Sequence, residues 1–195
     1  MAEQQRYPTT VPCEEHLLTL RLMTSEDEKD IREFAKQLPA HDLLFVQRDI
    51  TNPKVIAAWV RAVERGDITT VLAMDGDELV GCAALIQDPY SWSPHFGELR
   101  VLVSQSMRKK GLGRILIQES FLLALEKGLK KLSAQMTVDQ KGALAIFEEL
   151  GFRGEALLKD QVMDRESETH DIVILSCDVD RIHAQISAYG IDSAL

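Results

Sequence analysis

The spacing of hydrophobic residues changes several times along the chain and predicts an alternation of strands and helices. Residues 16–24, HLLTLRLMT, alternate leucine with polar residues, as a strand with one buried face does. Residues 25–38 instead have the period of an amphipathic helix, and Ser25 with Glu28 has the spacing of a capping box. A second helix is predicted over residues 52–66, with a proline at its first position and a glycine at its end. The ordered part of the chain is therefore expected to begin with a strand and two helices.

A hairpin and a strand–turn–helix unit follow in the middle of the chain. Asp75 and Gly76 provide turn residues between two apolar runs, which predicts a β-hairpin. Residues 97–128 begin with the alternation of a strand, continue through a basic turn with two glycines and end with helical spacing. The predicted order is strand, two helices, three strands, helix, strand, helix and two strands. The remaining elements are a strand at 131–138, a helix ending at Gly151, a hairpin at 155–179 and an amphipathic helix from Asp180 that contains Ile182, Ile186 and Tyr189.

Composition limits the size and the partners of the fold. The chain has 195 residues, of which 45% are hydrophobic and 27% are charged, so it can form one hydrophobic core of ordinary size. Its 22 basic and 31 acidic residues give a formal charge of −9, which repels a nucleic-acid backbone. The first residues lack the basic and apolar segments of a secretory signal, and no apolar run is long enough to span a membrane. We therefore expect a cytoplasmic protein that binds neither nucleic acid nor membrane.

The three cysteines are scattered and lack the spacing of a metal site or of a disulfide framework. Cys82 and Cys177 stand within apolar strands, where cysteine usually serves as a small buried hydrophobic residue. We therefore expect no bound metal and no structural disulfide. These two thiols are interpreted as part of the core rather than as nucleophiles.

The basic turn after residue 103 has the composition of an anion-binding loop, because glycines and a helix N-terminus expose main-chain N–H groups. Its spacing excludes two common phosphate loops. A mononucleotide P-loop needs GK followed by Ser or Thr, whereas Gly113 is followed by Arg114 and Ile115. A dinucleotide turn needs a third glycine where Leu116 stands. The remaining pattern is RxxGxG, directly between a strand and a helix.

This pattern, formed by Arg108, Gly111 and Gly113, resembles the signature of the GCN5-related N-acetyltransferase superfamily, whose members bind the pyrophosphate of coenzyme A there. Val103 stands eight residues before Gly111, as the last apolar residue of the strand does in that superfamily. The stretch ALAIFEELGF is similar to a second motif of the superfamily, AxxxYExLGF. The resemblance extends over residues 16–179, which is most of the chain.

The resemblance implies an α/β fold of the α+β kind, with a central mixed, mostly antiparallel sheet of about six to seven strands flanked by helices. The fourth and fifth predicted strands, at 97–103 and 131–138, are expected to splay apart. The domain organisation that follows is a flexible tail over residues 1–15, an acetyltransferase domain over 16–179, and a C-terminal helix and tail over 180–195. We expect the last helix to dock on the core or on a partner, and a second copy of the chain would be such a partner.

By the same resemblance, acetyl-CoA is the co-substrate, and its pyrophosphate is expected over the basic turn. The physical chemistry agrees, because glycine lets the backbone approach a ligand closely and the helix dipole favours an anion. The turn also brings four cationic side chains to an otherwise acidic chain. The residues expected to bind the cofactor here are Arg108, Lys109, Lys110, Gly111, Leu112, Gly113 and Arg114.

The resemblance also implies where acyl transfer takes place. Main-chain groups of Leu102 and Val103 are expected to face the pantetheine, with one N–H directed at the thioester carbonyl. Glu98, on the same strand, is expected either to accept the proton of the attacking amine or to pair with Arg100, two residues along on the same face. Both alternatives remain open at this point.

Two expected cofactor contacts depart from the family pattern. Gln140 stands where relatives often have asparagine, so the amide is kept with a longer reach. Phe147 stands where relatives usually have tyrosine, the supposed acid for the leaving thiolate, and it cannot donate a proton. Because a thiol pKa of about 8.5 makes thiolate a tolerable leaving group, this departure weakens the assignment of the acid more than that of the enzyme.

The acceptor is predicted to be a primary amine on a small molecule, an amino acid or a protein. The loop DPYSWSPHF, with Tyr90 and His95, is expected at the acceptor mouth, and the acidic charge favours a small cationic amine. His41 is expected in the acceptor wall, and His170 either near the site or in a surface pair with Asp171. Two other hypotheses are a coenzyme A binding module without turnover, which Phe147 supports, and an interaction protein that binds no coenzyme A.

Overall fold

A computed structural model describes residues 6–46 and 48–188, and in this part of the chain the backbone forms one eight-stranded sheet with helices on both faces. The strands are β1 (Thr9–Cys13), β2 (His16–Leu22), β3 (Ile68–Asp75), β4 (Glu78–Gln87), β5 (Phe96–Val103), β6 (Lys131–Thr137), β7 (Arg153–Met163) and β8 (Thr169–Asp178). The helices are α1 (Glu28–Gln37), α2 (Pro53–Glu64), α3 (Leu112–Glu126), α4 (Lys141–Glu149) and α5 (Val179–Ala188), and short 3₁₀ segments lie at Ser25–Asp27, Ala40–Val46 and Gln105–Met107.

The order of strands across the sheet is β1-β2-β3-β4-β5-β6-β8-β7. Every neighbouring pair is antiparallel except β5 and β6, which run parallel. The predicted fold class and the predicted order of elements are therefore confirmed. The sheet has one strand more than the upper end of the expected range of six to seven.

The additional strand is β1, which lies in the segment predicted to be a flexible tail. It pairs with β2 from Thr9 opposite Leu20 to Cys13 opposite His16. Pro8, just before it, and Pro12, within it, favour a tail on sequence grounds, but β1 is an edge strand, where a residue without an N–H donor is tolerated. The expected tail over residues 1–15 is therefore wrong for the residues of β1.

The sheet is buried on both faces, so its central strands contain long apolar runs rather than a strict alternation. On one face, α1 and α2 pack through Ile31, Phe34 and Ile56. On the other face, α3 and α4 pack through a second cluster that includes Leu116 and Phe147. The C-terminal helix α5 also docks on this second cluster, through Ile182. The side chain of Ile186 and all of Tyr189 lie outside the described part of the chain.

The parallel pair β5–β6 separates after a short common stretch. Its pairs run only from Phe96 opposite Lys131 to Leu99 opposite Ala134. Beyond this point β5 continues beside β4 as far as Val103, and β6 continues beside β8. The predicted splay is confirmed, and it opens a cleft at the carboxyl ends of both strands.

Side-chain caps begin the 3₁₀ turn before α1 and the helix α2. Thr24 and Asp27 form a capping box at the 3₁₀ turn Ser25–Asp27, which leads into α1, one residue before the predicted pair of Ser25 and Glu28. Asn52 caps α2 by accepting the N–H of Lys54, as its position before a proline predicts. Within the described residues, no helix is both long and apolar enough to cross a membrane.

Candidate active site

The opening between β5 and β6 is a cleft of about 740 Å³. Its walls come from both strands, the turn before α3, the start of α4 and the 3₁₀ segment Ala40–Val46. Residues that are distant in the sequence thus meet at one point, because the splay leaves the inner edges of two strands without a partner strand. Most of the residues predicted to bind the cofactor line this cleft.

The glycine turn leads directly into helix α3. Gly111 is the N-cap residue, and its φ of 91° lies in the left-handed region that favours glycine. A Cβ atom at Gly111 would meet no atom within 4 Å, and one at Gly113 would approach only Val103 Cγ2, at 3.9 Å. The first amides of the helix have no intrahelical acceptor. The turn therefore presents open backbone and N–H groups to the cleft.

The basic residues of the turn do not all face the cleft. Arg108, Lys109 and Arg114 line it. Lys110 does not, because its ammonium lies 3.2 Å from His16 Nε2 on the β1–β2 side. Leu112, also predicted as a contact, is completely buried in the core beneath the helix. The structure thus gives Lys110 and Leu112 packing contacts rather than places in the cleft wall.

Two of the cationic side chains at the turn already have carboxylate partners. Arg108 pairs with Asp42 in the 3₁₀ segment, and Arg114 pairs with Glu149 at the end of α4. All of these side chains except that of Asp42 are more than a third exposed, so both pairs are accessible to solvent. An anion that enters the cleft competes with these carboxylates for the guanidinium groups.

A second cavity of about 650 Å³ lies between α2 and the adjacent face of β4 and β5. Its lining includes Trp59, Ala84 and Arg100. Leu102, which is buried, lines both this cavity and the cleft. The two cavities therefore approach each other at Leu102, one of the two positions predicted to face the thioester.

Val103 lines the cleft as predicted, whereas Glu98 lines neither cavity. The carboxylate of Glu98 accepts a hydrogen bond from Arg100 Nε at 2.7 Å, and both side chains are about four-fifths buried. Arg100 also donates from Nη1 to the main-chain oxygen of Val46, at 3.0 Å. Of the two alternatives for Glu98, the pair with Arg100 is formed, and the role as a base stays a prediction.

The two positions that depart from the family pattern both line the cleft. Phe147 is 5% exposed, and its ring meets that of Phe152 edge to face, with centroids 4.9 Å apart. Gln140 precedes α4, where its main-chain oxygen accepts the N–H of Leu144 at 3.0 Å. The side-chain amide of Gln140 makes no capping hydrogen bond to the first N–H groups of α4.

His41 lines the cleft and contacts Asp139, a pairing that the sequence does not reveal. Its Nε2 lies 2.8 Å from an oxygen of Asp139. A hydrogen bond from Thr137, together with the neighbouring histidine, lowers the pKa of the Asp139 carboxyl. His170 packs edge to face on His41, but it pairs with Asp164 at 2.7 Å rather than with Asp171. The sequence does not predict the contacts of His41 with Asp139 and His170, because these residues are far apart in the chain and only the folded sheet brings them together.

The aromatic loop between β4 and β5 projects into solvent. The side chains of Tyr90 and Trp92 are fully exposed and line neither cavity, so the structure does not bring Tyr90 to the wall of an acceptor site. His95 is exposed as well, and its main-chain oxygen accepts N–H groups at the start of β6. Asp88, at the first position of this loop, is the part that reaches the second cavity.

The cysteines are buried, as the sequence predicts for Cys82 and Cys177. Burial raises the pKa of each of these two thiols to about 12, so neither is a thiolate at neutral pH. Cys82 is therefore an apolar wall residue of the second cavity. Among the described residues, no group of three or more His, Cys, Asp or Glu side chains is arranged to hold a metal ion.

The comparison with protein families agrees with this geometry. Residues 26–152 match the model of the acetyltransferase (GNAT) family, which is more than half of the chain. The chain belongs to the GNAT family of acetyltransferases. The resemblance based on Arg108, Gly111 and Gly113 is thereby confirmed, and the prediction of an acyltransferase is supported.

The individual relatives have low sequence identity to this chain. N-alpha-acetyltransferase 30 of Xenopus laevis is 25% identical over 131 residues, which cover 65% of this chain and 48% of the relative, so the chain spans about half the length of that protein. Spermidine N-acetyltransferase of Vibrio cholerae, solved in complex with CoA and spermine, superimposes with a TM-score of 0.71 at 16% identity, covering 85% of this chain and 97% of the other. Ribosomal-protein-alanine N-acetyltransferase of Brucella melitensis superimposes with a TM-score of 0.70 at 20% identity, and the match covers 82% of this chain and 98% of the other. These two structures show the shared fold.

Proposed function

We propose that the protein transfers the acetyl group of acetyl-CoA to a primary amine. Acetyl-CoA occupies the cleft between β5 and β6, and the amine enters from the second cavity. The observation that carries the proposal is the meeting of the two cavities at Leu102, beyond the last paired residues of β5 and β6. A donor and an acceptor that enter from opposite sides can meet there without crossing the sheet.

The residues of the cleft fit acetyl-CoA along its length. The turn offers unpaired helix N–H groups and open glycines to a pyrophosphate. Arg108, Lys109 and Arg114 supply positive charge at the same end. Further in, the lining becomes apolar, which suits the pantetheine chain. The apolar lining residues are Leu99, Val101, Ile117, Ala134, Met136 and Ile146.

The chemistry requires few side chains. The lone pair of the amine attacks the thioester carbonyl, a C–N bond forms and the C–S bond breaks, and coenzyme A leaves as a thiolate. The amine loses a proton to a carboxylate or to water, and the negative oxygen of the intermediate needs an N–H donor. Main-chain groups of β5 at Leu102 and Val103 have no partner strand on the β6 side and are available for this role.

Three features support an amine as the acceptor. The family is a family of acetyltransferases, and the relatives named above are acetyltransferases of polyamines or of protein amines. The second cavity, of about 650 Å³, has room for a small molecule and shares Leu102 with the cleft. Aliphatic amines have a pKa near 10, so a desolvated site that takes up the free base assists the attack.

A second candidate is a coenzyme A binding module without turnover, and Phe147 is the observation that favours it. Its ring occupies the place at which relatives usually have a phenol, and it is packed against Phe152. Under this alternative, the cleft binds coenzyme A but the thioester is not consumed in the presence of amines.

The test is the release of coenzyme A thiol from acetyl-CoA in the presence of a panel of primary amines, with mass spectrometry of the products. We expect thiol release that depends on both the protein and the amine, together with one acetyl group added to the amine. Binding of coenzyme A without thiol release from any amine would favour the second candidate. Absence of binding would contradict both.

A further inference from the structure

The second cavity is cationic, although the protein carries a formal charge of −9. Four arginines line it, against two carboxylates, Asp67 and Asp88. Apart from Gln87, the rest of the wall is apolar, and most of it is formed by α2 and by the adjacent residues of β4. The arginines are Arg48, Arg61, Arg65 and Arg100.

These arginines differ in the hydrogen-bond partners of their guanidinium groups. Arg65 is paired with Asp67, its Nε lying 2.8 Å from the carboxylate. The side chains of Arg48 and Arg61 form no hydrogen bond or ion pair with any described residue. Arg100 uses Nε for Glu98 and Nη1 for the oxygen of Val46, which leaves Nη2 without a partner among the described residues. The cavity thus retains unused guanidinium donors.

Arg100 is held in a defined orientation close to the point where the two cavities meet. Its side chain is 20% exposed and is fixed by two hydrogen bonds. It stands two residues before Leu102 on the same strand face, a distance of roughly 6–7 Å along the strand. An α-amino acid whose nitrogen reaches Leu102 brings its carboxylate towards Arg100, because the two groups are attached to the same carbon.

We propose that the acceptor is a small amine that also carries a carboxylate, specifically an α-amino acid with an apolar side chain. Arg100 binds the carboxylate, Arg48 and Arg61 attract it to the mouth, and the apolar wall holds the side chain. This substrate class rests on the proposed acetyl transfer. It differs from the small cationic amine favoured by the net charge, because the charges that line a site govern its ligand more than distant ones do.

The test compares matched amines at saturating acetyl-CoA: leucine with isopentylamine, and phenylalanine with phenethylamine. Each pair has the same side chain and differs by the carboxylate. The quantity measured is the ratio of kcat/KM for the amino acid to that for the plain amine. Comparing this ratio between the parent and a variant cancels the intrinsic difference in amine basicity.

In Arg100→Lys, which keeps the charge but loses the planar fork, we expect the ratio to fall about tenfold to a hundredfold. The double variant Arg48→Gln, Arg61→Gln leaves the contacts of Arg100 intact and should lower the ratio by raising KM for the amino acids. The matched control is Arg181→Gln, an exposed arginine on α5 outside both cavities, which should leave the ratio unchanged. Melting curves establish that each variant is folded.

A binding measurement separates this inference from the proposed function. N-acetylleucine and its methylamide are titrated by calorimetry into the protein saturated with coenzyme A. We expect the carboxylate form to bind more tightly, and this preference to be lost in Arg100→Lys.

Turnover of amines with an unchanged ratio in Arg100→Lys and in the double variant would overturn the inference and leave the proposed function. No turnover, with a carboxylate preference that Arg100→Lys abolishes, would overturn the proposed acetyl transfer and the assignment of the acceptor, and would support only the binding of a carboxylate by Arg100. If neither turnover nor a carboxylate preference is found, both are overturned.

Discussion

Phe147 is the residue at which this chain departs most clearly from the usual family motif. The residue is packed within the cleft wall against Phe152, so it contributes apolar surface and no proton. A thiolate is a tolerable leaving group near its pKa of about 8.5. The structure is therefore compatible with an enzyme in which the leaving group needs no side-chain acid.

We predict that Phe147→Tyr leaves kcat within a few-fold of the parent. The added hydroxyl is useful only if it reaches the leaving sulfur, and at a buried position it must find a partner to offset its desolvation. The measurement is kcat with a responsive amine, accompanied by a melting curve. A gain of about a hundredfold, the effect of a positioned acid, at unchanged stability would contradict the account of an active enzyme without a phenol.

Glu98 holds Arg100, and two substitutions distinguish this role from that of a base. Glutamine keeps an oxygen that can accept the Nε hydrogen bond but cannot take up a proton, whereas alanine removes both functions. We predict that Glu98→Gln retains kcat/KM within a few-fold, while Glu98→Ala raises KM for the acceptor about tenfold through a displaced Arg100.

The measurement for Glu98 is the pH profile of kcat/KM for both variants. If Glu98 positions Arg100, the profile of Glu98→Gln keeps the shape of the parent profile. If glutamine and alanine are equally damaging and both lose activity mainly at low pH, Glu98 is the base, since a base matters most where the amine is protonated.

At the level of elements, α2 forms a wall of the second cavity, and α1 packs beside α2 on the same face of the sheet. Asp27 anchors the start of α1: its carboxylate accepts from Arg21 Nη1 at 2.8 Å and from the main-chain N–H of Thr24 at 2.7 Å. Burial alone would raise the pKa of Asp27, but the hydrogen bonds from Arg21 and Thr24 outweigh it and lower the pKa. The ionised carboxylate is therefore the form that stabilises this junction.

We predict that Asp27→Asn lowers the free energy of unfolding by about 1–3 kcal/mol at neutral pH, because charge-assisted hydrogen bonds are lost. A carboxyl with a lowered folded-state pKa contributes stability above its unfolded pKa of about 3.9 and loses it as the pH falls through the folded value. The difference between parent and variant should accordingly shrink below about pH 4.

Urea unfolding at neutral and acidic pH measures the effect of Asp27→Asn. Asp30→Asn is the matched control, since Asp30 is exposed on the same helix. A difference between parent and Asp27→Asn that persists undiminished in acid would contradict the electrostatic explanation.

At the scale of the whole molecule, the sequence predicts what depends on local spacing. The order of elements, the glycine turn and the cap at Asn52 follow from apolar periodicity and turn residues, and all three agree with the structure. The edge strand β1 does not follow, because prolines in a short polar segment indicate a tail more strongly than a strand.

The direction of a side chain and contacts between distant residues are not encoded in local spacing. A basic run predicts charge at the turn but not that Lys110 faces His16 while Lys109 faces the cleft. The pair of His41 with Asp139 and the arginines of the second cavity arise from segments that only the sheet brings together. These groupings of charged side chains are therefore visible only in the folded chain.

The central claim is that acetyl-CoA binds in the cleft between β5 and β6, and titration of coenzyme A by calorimetry tests it most directly. Gly113→Val adds bulk where the cleft is open, and a Cβ there approaches only Val103, so the fold is expected to persist. Gly154→Val is the control, because Gly154 lies on the exposed strand β7, where a Cβ also meets no atom within 4 Å. We predict that Gly113→Val abolishes coenzyme A binding or weakens it severely, while Gly154→Val binds as the parent does. Unchanged affinity in a folded Gly113→Val variant would contradict the account.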